Sequence, residues 1–153
     1  MVRVDEFPES FQTEFLNRDM PAFEKTSFVH GPPLKDRRIA LISTAGLHRR
    51  GDRPFAENSG DFRIIPEDIP DSDLVMSHVS TNFDRIGFMK DVDVAFPINR
   101  LKELAKEGFI QSVAKFHFSF MGATPPEQMR PNVREIIATM KADNVNSVVL
   151  CPV

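Results

Sequence analysis

"RIALISTAG", residues 38–46, is the stretch on which the fold turns. An apolar run of strand length is closed by Thr44, Ala45 and Gly46, residues small enough for a tight turn. It reads as a buried strand. Four more such runs lie further along the chain. "FRIIP" (residues 62–66) and "DLVMSH" (residues 73–78) are read as the second and third strands. "SVAKFHFSF" (residues 112–120) is read as a strand with two unlike faces, because Phe116, Phe118 and Phe120 alternate with Lys115, His117 and Ser119. "SVVLCPV" (residues 147–153) is the last, and reads as buried.

Helical patterns lie between these runs. Pro97 suits a first helical position, Ile98, Leu101, Leu104 and Ala105 share a face, and Gly108 falls where a left-handed cap is wanted. "TPPE" (residues 124–127) has capping-box spacing. Pro131 breaks or kinks the helix after it, and Val133, Ile136, Ile137 and Met140 form a further amphipathic face. Strands joined by helical crossovers make a largely parallel sheet with right-handed connections. The expected fold is therefore α/β, a three-layer sandwich with a largely parallel open sheet of the Rossmann or flavodoxin-like kind. Residues 37–153 form its body. Residues 1–36, acidic with scattered Phe and a short helix over residues 9–16, read as an arm anchored by those phenylalanines.

Composition narrows the function. The formal net charge of −3, without a run of basic residues, supplies no field for nucleic acid or an anionic membrane. No stretch approaches the roughly 20 apolar residues that span a bilayer, and the N-terminus lacks the order of a signal peptide. A single cysteine permits no internal disulfide, which points to a reducing, cytoplasmic home.

In open parallel sheets ligands bind beyond the carboxyl ends of the strands. Those ends here supply Thr44 to His48, Ser77 and His78, the Phe120–Gly122 segment with Thr124, and Cys151. His78 is the foremost polar candidate, as general acid/base or orienting donor, with Asp84, Asp91 and Asp93 near it in sequence. The plain alternative is a histidine bonded to neighbouring backbone. Asp91 and Asp93 read most simply as solvating a loop, and Arg85 as flanking a short helix to Lys90. His48, in "HRRGDR", reads as exposed, His117 as packed in a strand, and His30 carries no signal. The "TAGL" turn at Thr44 and Gly46 can cradle an anion on backbone amides. It matches no nucleotide-binding pattern. No zinc-type spacing is present, so no metal is assigned. Cys151 reads as either a nucleophile or a small buried hydrophobe.

Taken together, "IALISTAGLH", "FRIIPEDIP", the "SH…FDR…D" stretch, "FPINRLKELAKEG", "FHFSFMG" and "VVLCPV" resemble the selenoprotein B family of glycine, sarcosine, betaine and D-proline reductases, in particular the small D-proline reductase subunit. The match runs from about Arg38 to Val153 in order and spacing. It implies a selenocysteine immediately after Val153, whose UGA codon is read as a stop, so the fold is expected to be incomplete at its C-terminus. It further implies reductive cleavage of a carbon–nitrogen bond in a small amine or amino-acid substrate. The selenolate attacks carbon and is regenerated by a thiol reductant such as thioredoxin. Another reductase subunit carries a pyruvoyl group, and no cofactor resides in this chain. On this resemblance His78 and Asp84 act at the departing amine, Thr44, Gly46, Ser77 and Gly122 line the substrate, and Cys151 is a resolving thiol or a neutral replacement. Asp93 and Cys151 depart from the family pattern. Two other classes stand beside this one: a partner- or amine-binding domain without turnover, and a metal-dependent hydrolase using His78.

Overall fold

The computed structural model describes residues 3–17, 28–80 and 85–153. The chain divides into two units, Met1–His30 and Gly31–Val153. In the first, helix α1 (Glu9–Leu16) has the expected bounds. Phe7, Phe11 and Phe15 recur every fourth residue and pack ring to ring, at centroid separations of 4.6 and 6.2 Å.

The second unit is built from β1 (Arg38–Ser43), β2 (Leu47–Arg49), β3 (Phe62–Pro66), β4 (Leu74–Met76), α2 (Ile86–Lys90), α3 (Ile98–Lys106), β5 (Ser112–Val113), β6 (Phe116–Phe120), α4 (Pro126–Met129), α5 (Val133–Ala142) and β7 (Ser147–Cys151). β1 is central. β7 lies parallel along one edge of it, from Ile39↔Ser147 to Ser43↔Cys151. β5 and then β6 lie parallel along the other. β3 closes that side antiparallel to β6. The sheet is thus largely parallel, with one antiparallel edge strand, in a mixed α/β fold as expected.

Alternation along β1 sends its side chains into two cores. Ile39 and Leu41 pack with Phe96, Ile98 and Leu101 on the α3 side. Ile42 packs with Phe118, Phe120, Ile136 and Met140 on the α5 side. β7 is covered on one face only. Val149 and Cys151 join the α3-side core, but Val148 and Leu150 on the opposite face are 41% and 69% exposed. The expectation of a buried strand is corrected there: α5 packs over β6, and this face of β7 is left partly open.

Five further expectations are corrected. "DLVMSH" is not a strand of the main sheet: β4 pairs antiparallel with β2 in a separate ribbon. His48 therefore lies in a strand and is buried rather than exposed, with its Nδ1 2.9 Å from the Arg49 carbonyl oxygen. A three-residue strand has no period to read. Asp93 does not merely solvate a loop. Its carboxylate accepts the Asn99 N–H at 2.9 Å and the Arg100 N–H at 3.4 Å, so it caps α3 from upstream. Pro97 precedes that helix instead of opening it. Thr124 forms no capping box; its hydroxyl donates to the Ser59 carbonyl at 2.9 Å. Pro125 precedes another proline and is driven out of the helical region, at ψ 137°, so α4 begins one residue later.

The Phe-rich stretch is also not one even strand. Three steps along β1, from Ile39 to Ile42, are matched by five from Val113 to Phe118. This bulge takes the neighbouring backbone out of step with Leu41, and His117 fills the gap: its Nδ1 accepts the Leu41 N–H at 2.9 Å. The ring is fully buried and edge-on to Phe96, 5.7 Å between centroids. Its Nε2 has no hydrogen-bond partner among the described residues. An acceptor at Nδ1 requires the neutral ring. Burial first, and then the Lys102 charge, lower the His117 pKa from 6.5 to about 4.

The unfolded chain takes this proton near pH 6.5 while the native state refuses it until about 4. Stability is thus complete above 6.5 and is lost as pH falls toward 4, by about 3 kcal/mol in total. Urea midpoints measured from pH 7 to pH 4 should show that decline. His117→Asn, which keeps an acceptor oxygen but does not titrate, should flatten the slope across this window.

Candidate functional site

The carboxyl ends of β1, β6 and β7 finish on one rim, because all three strands run parallel. Beyond Ser43 the chain turns through Thr44, Ala45 and Gly46. Gly46 adopts φ +66°, and a Cβ there would stand 3.0 Å from the His78 nitrogen, so both conformation and space demand glycine. The idea that this turn cradles an anion is corrected by its hydrogen bonds. Thr44 N–H donates to the Cys151 carbonyl at 3.1 Å and Gly46 N–H to the Phe120 carbonyl at 2.8 Å. Ala45 N–H donates to Ser43 Oγ at 3.2 Å and Leu47 N–H to Ser119 Oγ at 2.7 Å. Every amide of the turn is engaged inside the protein.

Ser77 and His78 reach the rim from the β2–β4 ribbon, not from the main sheet. Ser77 N–H donates to the Gly46 carbonyl at 3.0 Å, and Ser77 Oγ accepts the Phe55 N–H at 3.0 Å. Ser77 is therefore a strut that docks the ribbon on the turn. Met121, just past β6, bridges to Ala45, and Gly122 N–H donates to the Thr44 carbonyl at 2.8 Å.

Gly122 marks the convergence point. A Cβ built on it would lie 2.5 Å from the Val153 carbonyl oxygen, 2.8 Å from that of Thr44 and 3.1 Å from His78 Nε2. Four sequence-predicted positions, Thr44, Gly46, Ser77 and Gly122, thus surround His78 and the segment leaving β7. Asp84 lies outside the described residues. Cys151 packs into the α3-side core, and burial pushes its thiol pKa up, away from thiolate chemistry. Among the described residues no three His, Cys, Asp or Glu side chains gather as metal ligands would.

His78 is almost fully buried. Its Nδ1 accepts the Ser80 N–H at 3.2 Å, which puts the proton of the neutral ring on Nε2, the atom facing Gly122. Burial, followed by the Arg85 charge, lowers its pKa below 6.5, so the ring is neutral at pH 7. Arg85 does more than flank a helix. It stands at the start of α2, and its guanidinium also donates to the His78 and Ser80 carbonyls, pinning the turn that carries the imidazole. No pattern in the sequence signals that contact. The arrangement turns His78 Nε2 toward Gly122 on a rim whose turn amides and Ser77 hydroxyl are engaged inside the protein.

The sequence-family model of the glycine/sarcosine/betaine reductase selenoprotein B (GRDB) matches residues 5–153. The chain belongs to that family. It is 36% identical over 121 residues to the D-proline reductase subunit gamma of Acetoanaerobium sticklandii, covering 76% of this chain and 49% of that one. It is 26% identical over 150 residues to the glycine reductase complex component B subunit gamma of Peptoclostridium acidaminophilum, covering 93% and 33%. The sarcosine reductase complex component B subunit beta of the same organism is 26% identical over 121 residues, covering 74% and 27%. The chain spans at most half the length of these relatives. No solved structure matches it. No helix among the described residues is long and apolar enough to cross a membrane.

Two outcomes test the site. The His78 ring should titrate by NMR with a midpoint below 6.5, and Arg85→Met should raise that midpoint part of the way. Gly122→Ala places a methyl against the Val153 and Thr44 backbone oxygens. It should cost about 1–3 kcal/mol in a urea melt and displace the Val153 amide resonance.

Proposed function

We propose that this chain forms the rim of a selenoprotein B-type amino-acid reductase subunit, which cleaves a carbon–nitrogen bond in a glycine-, betaine- or D-proline-type substrate. What supports this reading is the convergence of His78 Nε2, Gly122 and the β7 exit within the stretch that the family shares. We place a selenocysteine directly after Val153, in a longer product of the same gene. A selenolate would supply the nucleophile that attacks the substrate carbon. What bears on the fit is that the segment leaving β7 passes directly over Gly122, with the His78 ring nitrogen Nε2 beside the same point.

Each residue of the rim then has a role. His78 donates a hydrogen bond from Nε2 toward the reacting groups. Beside an anion its protonated form also gains the Coulomb attraction that Arg85 opposes in the chain alone, which suits it to pass a proton to the departing nitrogen. Asp84 pairs with the cationic amine. Gly46, Ser77 and Gly122 shape the wall. Cys151, held protonated by burial, serves packing in this state. A second reductase subunit is the proposed partner, because the relatives are named as subunits of reductase complexes, and the family resemblance puts a pyruvoyl group on it. The proposed reductant is a dithiol of the thioredoxin kind, in a reducing cytoplasm.

One observation favours the rival reading of a binding domain without turnover: the exposed Val148 and Leu150 offer a face for a partner. Selenium separates the two. Cells carrying the native gene and grown with radioactive selenium should yield a labelled product longer than 153 residues, and changing the codon after Val153 to UAA should abolish both the label and substrate reduction. An unlabelled 153-residue product that binds a reductase subunit would sink the catalytic reading.

A further inference from the structure

Threonine 44 does something that a substrate-lining residue would not. Its hydroxyl is bonded to both ends of one distant residue: Oγ1 accepts the Val153 N–H at 2.8 Å and donates to the Val153 carbonyl oxygen at 3.2 Å. The sequence separation is 109 residues. The geometry explains why a side chain is needed. β1 and β7 pair in register up to Ser43↔Cys151, and Thr44 N–H then takes the Cys151 carbonyl. There β1 turns away through Ala45 and Gly46, and the Thr44 carbonyl is taken by Gly122 N–H. Backbone pairing must stop, and Pro152 has no N–H with which to extend it. The Thr44 hydroxyl stands in for the missing backbone and carries the ladder further along the segment leaving β7.

We propose that Thr44 is a positioning residue, whose hydroxyl seats Val153 over Gly122 so that the segment leaving β7 faces His78 Nε2. Its orientation function rests on the reductase reading above, which places the reacting group just beyond Val153. The seat has three walls. Thr44 fixes Val153 by two hydrogen bonds between its hydroxyl and the Val153 backbone. Gly122 lets it lie closer than any side chain would allow. The imidazole is the third, its Nε2 3.1 Å from where a Gly122 Cβ would stand. The hydroxyl expected to bind substrate is thus committed to the chain itself, and a displacement of the seat by about 1 Å is the kind of error that costs a reacting pair its alignment.

Hydrogen exchange and NMR on the full 153-residue chain test the seat without any turnover. The wild-type Val153 N–H should exchange at least tenfold more slowly than an unprotected amide. Thr44→Val, which keeps the shape and loses the hydroxyl, should abolish that protection and shift the His78 titration midpoint, while amides of α3 stay as they were. Thr44→Ser, which keeps the hydroxyl, should restore both to within about threefold of wild type. Unchanged Val153 exchange in the valine variant overturns the proposal, and so does a serine variant that behaves like valine. If the valine variant does not fold, the wild type decides: an unprotected Val153 N–H overturns the seat and a protected one supports it. A native gene product that takes up no selenium would refute the reductase reading and leave the seat standing.

Discussion

Everything at the rim depends on β1 being paired in parallel on both edges. Parallel partners start at one end of the sheet and finish at the other, so Thr44, Gly122 and Val153 have no freedom to end elsewhere. The register is bolted at the opposite end by Arg38. Its guanidinium takes both Asp143 carboxylate oxygens at 2.8 Å, the Asp143 carbonyl at 2.7 Å, and Ser112 Oγ and the Val113 carbonyl at 2.9 and 2.7 Å. Asp143 also accepts the Lys115 N–H at 2.7 Å. One side chain thus joins the start of β1 to β5 and to the end of α5. The pair is mostly buried, so its worth lies chiefly in the charge that removing one partner would leave uncompensated, a cost of about 3–5 kcal/mol.

The parts legible in the sequence were those with a period or a breaker. β1 and β7 announce themselves as apolar runs, α3 as a stripe closed by Gly108, and the kink at Pro131 as a missing donor. The short helix read over residues 9–16 is α1. The hidden parts were set by contacts between distant segments. β2 has three residues and no pattern, so the β2–β4 ribbon and the burial of His48 could not be read. The bulge before β6 leaves the Phe alternation intact and is visible only against β1. His117 then looks like a packed residue when it is in fact a substitute backbone acceptor.

The site was legible as a set of positions but not as a set of roles. Position at a strand end singled out Thr44, Gly46 and Gly122, whereas Ser77 comes to the same rim from the β2–β4 ribbon, and the structure assembles all four about His78. Their small size and hydroxyls suggested ligand contacts. Instead the turn amides, the Ser77 hydroxyl and the Thr44 hydroxyl satisfy partners inside the protein, as buried polar groups must. Small and polar residues hold a geometry, and one imidazole turns its Nε2 toward the β7 exit. The same principle governs Ser43, whose hydroxyl donates to the Ala95 carbonyl while accepting the Ala45 N–H.

The half-covered β7 has a practical corollary. It is the outermost described strand on its side, and it shows solvent two branched aliphatic side chains beside a hydrogen-bonding edge that no described strand occupies. Such an edge is a template for any extended peptide, its own copies included. A preparation of the 153-residue chain will therefore tend to thicken and precipitate as it is concentrated, and its colloidal behaviour will report on whether that border has found a neighbour.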